Sequence, residues 1–89
     1  MNHRQILSKL IKGLVVSEET SYRDRFMFTS KRTTFDIAWD KATVNTPQMT
    51  VSVNPRSVNG ITLDKEGLRI QVGSKGLVSI PAFYMELRI

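Results

Sequence analysis

The sequence predicts an α+β fold in which one N-terminal amphipathic helix packs on a curled antiparallel sheet or small barrel of six or seven short strands. Apolar residues recur at helical spacing near the N-terminus, and afterwards they alternate with polar residues in short runs. Turn-forming segments lie between these runs, and hairpins join antiparallel neighbours. The chain has 89 residues, which suffice for a single α+β domain, 1–89, with one modest core.

The helix is predicted over residues 1–16. Asn2 can cap its first turn, and Gln5 three residues later can reach back to form a capping box. An apolar stripe follows at helical spacing, formed by Ile6, Leu7, Leu10, Ile11, Leu14 and Val15. The helix can end near Gly13 or continue to Val16. We expect the stripe to cover the sheet, and the alternative is a basic amphipathic helix that lies on a membrane or in a partner's groove.

Two strands are predicted in the chain that follows. Residues 17–25 are polar and charged, and we expect a connector there or a short capped turn that starts at Ser17. Phe26 and Phe28 begin the first strand, which ends in a turn near residues 30–32. The next strand carries its apolar residues on one face: Phe35, Ile37 and Trp39. We expect Trp39 to be buried against the helix, because it is in phase with the other two.

A further strand is predicted over residues 49–53, where apolar and polar residues alternate. Pro55 ends this strand, because proline has no N–H to donate to a ladder. The polar segment 43–47 before it is expected to be a loop. Asn59 and Gly60 form a strong turn signal ahead of the next apolar run.

The chain from residue 58 onward predicts a β-meander of three strands. Its two turns are predicted at residues 64–67 and 73–76, where glycines stand at hairpin positions. Leu68, Ile70 and Val72 give the middle strand its inward face. The last strand is predicted over residues 83–89, after a bend at Pro81. Its inward face is formed by Phe83, Met85, Leu87 and Ile89.

The net charge is +5, and the basic residues are spread along the chain with one concentration at the N-terminus. A generally basic surface attracts phosphates and acidic partners without specificity. The candidates for such contacts are Arg23, Arg25, Lys31, Arg32, Arg56, Arg69, Lys75 and Arg88. Sheet-type RNA binders stack bases on solvent-facing aromatic residues, and only Tyr84 is predicted to face solvent. Nucleic-acid binding is therefore expected to involve the phosphate backbone, with little sequence preference.

The residues needed for catalysis are not found together. Without cysteine the chain has no thiolate zinc site and no cysteine nucleophile, and the single histidine, His3, is a poor metal site. Asp36 and Asp40 share a strand face about 13 Å apart, whereas paired glycosidase carboxylates lie roughly 5–9.5 Å apart. The turn at residues 73–76 lacks the spacing of a phosphate loop. We expect no enzyme activity, no metal and no cofactor.

The sequence favours a small non-enzymatic binding or assembly protein: an adaptor, an inhibitor or a structural subunit, with a virus-encoded protein as one form of this hypothesis. It would act through its sheet surface or an edge strand, with another protein or a second copy of the chain as partner. Basic nucleic-acid binding is the alternative. The candidate partner contact is the predicted C-terminal strand: Phe83, Tyr84, Met85, Glu86, Leu87, Arg88 and Ile89. This strand pairs either within the sheet or with another chain, and the bend at Pro81 and the lack of a polar tail favour the second.

The location expected from the sequence is the cytoplasm or a virion. The apolar runs are too short to span a bilayer, and Lys9 and Lys12 interrupt the N-terminal apolar stretch, so neither a membrane span nor a secretory signal is predicted. A chain without cysteine fits a reducing interior or a virus particle. We therefore expect no secretion.

Overall fold

A computed structural model describes residues 1–88 as an α+β fold with one α-helix and two antiparallel sheets. Helix α1 is His3–Gly13. The five-stranded sheet, in the order β1-β2-β3-β4-β5, consists of β1 (Ser17–Tyr22), β2 (Arg25–Ser30), β3 (Thr33–Ile37), β4 (Ala42–Asn45) and β5 (Thr50–Val53). The three-stranded sheet consists of β6 (Val58–Asp64), β7 (Gly67–Val72) and β8 (Gly76–Pro81). Two short 3-10 turns, Pro55–Ser57 and Ala82–Tyr84, follow β5 and β8.

The start of α1 is confirmed as a capping box. The Gln5 N–H donates to Asn2 Oδ1 at 2.9 Å, and the Asn2 N–H donates to Gln5 Oε1 at 3.0 Å. The helix ends at Gly13, and its stripe packs against β3 of one sheet and β6 of the other. The expectation that the helix covers the sheet is therefore confirmed. In residues 1–88 no helix is long and apolar enough to cross a membrane.

A single core lies between α1 and the inward faces of both sheets. Its buried members are Ile6, Leu10, Leu14, Phe28, Phe35, Ile37, Ala42, Val44, Val58, Leu68, Ile70, Ile80 and Met85. The rings of Phe28 and Phe35 stack at the centre of the five-stranded sheet, with centroids 4.8 Å apart. The helix and the inward residues of both sheets therefore share one apolar core.

The sheets do not close into a barrel in the described part of the chain, and the eight strands exceed the six or seven expected. The ladder is interrupted after β5. There Asn54 Oδ1 accepts a hydrogen bond from the Arg56 N–H at 3.0 Å and caps the 3-10 turn, while Pro55 has no N–H to donate. This turn sends the chain into a second sheet instead of continuing the first.

The connector expected over residues 17–25 is wrong, because residues 17–22 form β1. All six residues of β1 are exposed, so the strand leaves no apolar signal in the sequence. It forms because a turn containing Arg23, in the left-handed region at φ 54°, folds it back onto β2. An edge strand needs a partner ladder on one side only and can be polar on both faces.

The loop expected over residues 43–47 is also wrong, because β4 occupies most of it. Ala42 and Val44 are buried, while Thr43 and Asn45 face outward. The alternation is short and its outward members are typical loop residues, so the sequence pattern is weak. Pairing with β3 on one side and β5 on the other stabilises the strand.

The turn expected at Asn59 and Gly60 is a bulge within β6. The register with β7 shifts between Val58 and Gly60, and the Asn59 side chain donates to the Gly73 carbonyl. The chain leaves β5 through the 3-10 turn at Pro55–Ser57, and the Asn-Gly pair then adds a bulge to β6 instead of making a hairpin.

Trp39 is 58% exposed, so the expectation that it is buried is wrong. The strand β3 ends at Ile37, and the Ala38 N–H donates to the Lys41 carbonyl at 3.0 Å to close a turn. The alternation that buries Phe35 and Ile37 stops where the strand stops. The indole therefore lies in the β3–β4 turn.

The β-meander is confirmed, but its third strand is β8 and not residues 83–89. The 3-10 turn after Pro81 breaks the period of two, so Phe83 is 67% exposed whereas Met85 is buried. Leu87 forms an isolated bridge with Leu14. Ile89, the last residue of the predicted strand, lies outside the described residues.

Candidate functional site

Four strands lie at the edges of the two sheets: β1 and β5 in the larger sheet, β6 and β8 in the smaller one. An edge strand presents unpaired N–H and C=O groups that can pair with another chain. Proteins usually blunt such edges with charges, bulges, prolines or very short strands. The four edges of this protein differ in how they are protected.

Three of the edges carry such protection. β1 contains Glu18 and Glu19 and a bulge, with Glu18 in the left-handed region at φ 54°. β5 has only four residues and is followed closely by Pro55. β6 is bulged beside Asn59 and lies against α1. Each of these features hinders the approach of another strand.

β8 has only one of these features, a proline at its last position. It has six residues, no charged side chain and an unbroken register with β7. Leu77 on its outer face is 63% exposed, whereas Ile80 on its inner face is 1% exposed and anchors the strand in the core. Pro81 removes one N–H, at the last position only. Among the edges that the structure describes, β8 is the one open to strand pairing.

On the outer face next to β8, the positive charge of Arg69 is bound by two carboxylates. Arg69 lies directly opposite Ser79 and donates to Asp64 at 2.5 Å, with Glu66 at 3.5 Å. The hydrogen bond from Arg69, together with the Glu66 backbone N–H, holds the pKa of Asp64 below its ordinary value. Arg69 is therefore engaged within its own sheet.

The candidate contact segment at the C-terminus is tied to the protein's own fold. The Val15 N–H donates to the Glu86 carbonyl at 2.8 Å, and the Arg88 N–H donates to the Gly13 carbonyl at 3.0 Å. The Arg88 Nε also donates to the Leu14 carbonyl at 2.7 Å. In this segment Met85 is buried and Tyr84 and Leu87 are half-buried, which leaves Phe83 and the two charged residues exposed.

Four residues form what we call the cation–aromatic cluster: Lys31, Arg32, Phe83 and Tyr84. Lys31 Nζ lies 5.4 Å from the centroid of the Phe83 ring, and Arg32 Cζ lies 5.9 Å from that of Tyr84. The two rings meet edge to face, with centroids 5.2 Å apart. The fold thus joins two residues of the predicted phosphate set to two of the predicted partner set. The sequence separates these pairs by about fifty positions, so only the packing of the C-terminal segment reveals the cluster.

The other predicted phosphate contacts are scattered. Arg23 lies over the Tyr22 ring, with its Cζ 5.5 Å from the centroid, in the β1–β2 turn. Arg56 lies in the 3-10 turn after β5, and Lys75 in the turn between β7 and β8. Arg25 lies on β2. These residues do not share one surface with the cluster.

A second aromatic surface, which sequence reasoning missed, lies where the β1–β2 and β3–β4 turns meet. Tyr22 is 64% and Trp39 58% exposed. They border an open depression of about 360 Å³ together with Arg23, Arg25 and Ala38. We call this the hairpin-end surface. The sequence does not predict this surface, because Trp39 is in phase with buried residues and because β1 has no apolar pattern that would place Tyr22.

Charges at the hairpin-end surface are largely paired. Arg25 donates to both carboxylate oxygens of Asp36, at 2.9 and 2.5 Å, and this hydrogen bond with the adjoining negative charge raises the pKa of Arg25. Asp24 accepts from Arg4 at 2.5 Å. Asp40 adds a further negative charge beside Trp39. The net charge of this surface is therefore small.

The single histidine, His3, lies at the start of α1 with its Nε2 3.8 Å from Asp24 Oδ1. That distance is too long for a hydrogen bond. Within residues 1–88, no three histidine, aspartate or glutamate side chains gather where they could hold a metal ion.

Comparisons with protein-family models, with curated proteins and with solved structures found no match.

Proposed function

We propose that the protein is a small non-enzymatic assembly protein whose partner is a second copy of the same chain, joined by antiparallel pairing of two β8 strands. The observation that carries the proposal is the contrast among the edges. β1, β5 and β6 each have a feature that blocks pairing, and β8 has none except its final proline. An uncharged edge of six residues is long enough to form a ladder.

A twofold axis through Ser79 gives a consistent pairing. Ser79 then faces its own counterpart, and Val78 faces Ile80 of the second copy on the inner side of the sheet. On the outer side, the exposed Leu77 faces Pro81 of the second copy. Directly opposed residues in an antiparallel pair share a face, so this register continues the inner and outer faces of both sheets. The result is one six-stranded sheet across a closed, isologous dimer.

The absence of charge along β8 favours a second copy over a different strand. Two copies of β8 oppose no like charges, which would otherwise destabilise the pair. A charged strand from another protein would find no complementary side chain on β8 itself. Pairing also covers Leu77, the large apolar side chain that the sheet leaves exposed.

The test is the mass in solution of the intact protein and of two matched variants. Ser79→Glu gives a favourable neighbour for Arg69 within one sheet but places two carboxylates opposite each other at the twofold axis. Ser52→Glu makes the same change at an exposed outward position of the β5 edge. Sedimentation equilibrium of each protein, over a range of concentrations, gives the association constant.

We expect the parent protein and Ser52→Glu to be dimers of the 10.1 kDa chain and Ser79→Glu to associate at least about tenfold more weakly. Circular dichroism checks that all three remain folded. A parent protein that stays monomeric up to high concentration contradicts the proposal. So does a Ser79→Glu variant that dimerises as tightly as the parent.

A further inference from the structure

We infer that the cation–aromatic cluster binds single-stranded nucleic acid, with a base stacked on Phe83 and neighbouring phosphates on Lys31 and Arg32. Phe83 is 67% exposed although it is a large apolar ring. A flat ring next to cations is the combination that binds single strands, because bases stack on the ring and phosphates pair with the charges.

The cluster is held in place before any ligand arrives. The Tyr84 carbonyl accepts from the Arg32 N–H at 3.1 Å and from Thr33 Oγ1 at 2.7 Å. On the other side of the turn, the Glu86 N–H donates to Ser30 Oγ at 3.1 Å. Ser30 and Thr33 are both fully buried. These bonds fix the turn with its two cations against the segment with its two rings, which lowers the entropy lost on binding.

The charge of the cluster distinguishes it from the hairpin-end surface. In the described chain neither Lys31 nor Arg32 forms an ion pair, since every ion pair found there involves other cations. At the hairpin-end surface Arg23 is also free of an ion pair among the described residues, but Arg25 is bound by Asp36. Asp24 and Asp40, next in sequence to Arg23 and Trp39, add two carboxylates there, and carboxylates oppose the approach of a phosphate. Cations that are free of carboxylates can take phosphates without first breaking a salt bridge. The nucleic-acid site is therefore assigned to the cluster.

The position of the ring selects a single strand over a duplex. Phe83 follows β8 on a short 3-10 turn, so it projects from the surface instead of lining a groove. A base can stack on the Phe83 ring only when it is unstacked from the neighbouring bases of its strand, and a duplex resists that unstacking. The cluster presents no set of amide or carboxylate groups aimed at base edges, so we expect little preference among base sequences.

The experiment measures fluorescence anisotropy of a labelled 15-nucleotide oligo(dT) and of a 15-base-pair duplex, each titrated with the full chain at several salt concentrations. Two variants change the cluster: Phe83→Ala, and Lys31→Asn, which suits the left-handed φ of 57° at this position. Two matched variants change the exposed Trp39 and Lys41 at the opposite end of the sheet: Trp39→Ala and Lys41→Asn. Unlabelled polyglutamate serves as an acidic protein competitor.

We expect oligo(dT) to bind with a Kd of roughly 1–100 µM at low salt, and binding to weaken steeply as salt is added. Phe83→Ala should weaken it about tenfold. Lys31→Asn should reduce the slope of log K against log salt by about 0.7. Trp39→Ala and Lys41→Asn should leave the affinity within about twofold of the parent value.

Four results would overturn the inference. They are the absence of binding at low salt, duplex binding as tight as that of the single strand, equal losses from Phe83→Ala and Trp39→Ala, and displacement by polyglutamate at the same charge concentration. The last result would assign the cluster to acidic proteins. The dimer through β8 is measured by sedimentation without nucleic acid, so failure of one proposal is distinguishable from failure of the other.

Discussion

The hydroxyl of Thr33 donates a 2.7 Å hydrogen bond to the main-chain oxygen of Tyr84, 51 positions further along the chain. Thr33 lies at the start of β3 and is fully buried, although its side chain is polar. The bond ties the β2–β3 turn of the larger sheet to the segment that leaves the smaller sheet. A buried hydroxyl needs a partner, and here the partner is a backbone carbonyl at the junction between the sheets.

Thr33→Val should destabilise the protein by about 1 kcal/mol, because it keeps the shape of the side chain and removes the donor. The Tyr84 carbonyl keeps the bond from the Arg32 N–H, which limits the loss. Urea unfolding measures the change. Thr34→Val on the exposed face of the same strand is the control and should change the free energy of unfolding by less than about 0.5 kcal/mol. Equal effects of the two variants would show that the buried hydroxyl contributes nothing.

Trp39→Ala should cost less than about 1 kcal/mol, since the indole is largely exposed. Phe35→Ala should cost roughly 3–5 kcal/mol, because that ring is fully buried and stacked on Phe28. Thermal unfolding compares the two variants, and the emission maximum of the native protein reports on the single tryptophan. A blue-shifted, buried-type emission together with a large loss of stability in Trp39→Ala would contradict the exposed position.

The sequence predicts the elements whose pattern is local. The capping box at Asn2, the strand that starts near Phe26 and the hairpin around residues 64–67 all depend on residues close together in the chain. The elements that it misses depend on contact with another segment and not on an apolar pattern of their own. β1 is a strand because β2 lies beside it, and Thr33 is buried because Tyr84 lies above it. Polar residues at such positions resemble loop residues until the fold is known.

The candidate sites also combine features that nearby residues predict with features that depend on tertiary contacts. The prediction of a strand over residues 83–89 is wrong, because the third strand of the smaller sheet is β8, and the proposed pairing with a second copy is therefore argued for β8. The error comes from Pro81, after which the chain enters a 3-10 turn and the period of two is lost. Lys31 and Phe83 were each singled out from the sequence, whereas their 5.4 Å approach depends on tertiary packing.

The C-terminal segment should divide into one residue that stabilises the fold and one that does not. Met85→Ala removes a buried side chain and should cost about 2–5 kcal/mol. Phe83→Ala removes an exposed ring and should cost less than about 1 kcal/mol. Urea unfolding of both variants gives the two values. A large loss in Phe83→Ala would mean that the ring is packed, and would remove the basis for stacking a base on it.

The contribution of the Asp64–Arg69 pair to the free energy of unfolding should depend on pH. The pKa of Asp64 is lowered from its ordinary value of 3.8, so below that value the unfolded state takes up a proton more readily than the folded state. The stabilisation is therefore complete above about pH 5 and is lost as the pH falls through the pKa of the folded state. Asp64→Asn removes this contribution.

Thermal midpoints of the parent and of Asp64→Asn, measured from pH 7 down to pH 2, should differ most near neutrality and converge in acid. Asp40→Asn, in the β3–β4 turn, is the control because Asp40 forms no ion pair in the described residues. Its difference from the parent should show no such convergence. A difference in thermal midpoint between the parent and Asp64→Asn that widens as the pH falls would contradict this prediction.

Because the chain has no cysteine, a single introduced thiol can report on the proposed twofold axis at Ser79. Directly opposed residues of an antiparallel pair have Cα atoms about 4.5–5.5 Å apart, which lies within the range that a disulfide needs. Ser79→Cys should therefore form a covalent dimer under mild oxidation at micromolar concentration, reversed by a reductant. Ser52→Cys places a thiol at an exposed position of the β5 edge and should react far more slowly, because only random collisions bring two such thiols together. Non-reducing electrophoresis over time compares the two rates, and equal rates would mean that β8 does not pair with itself.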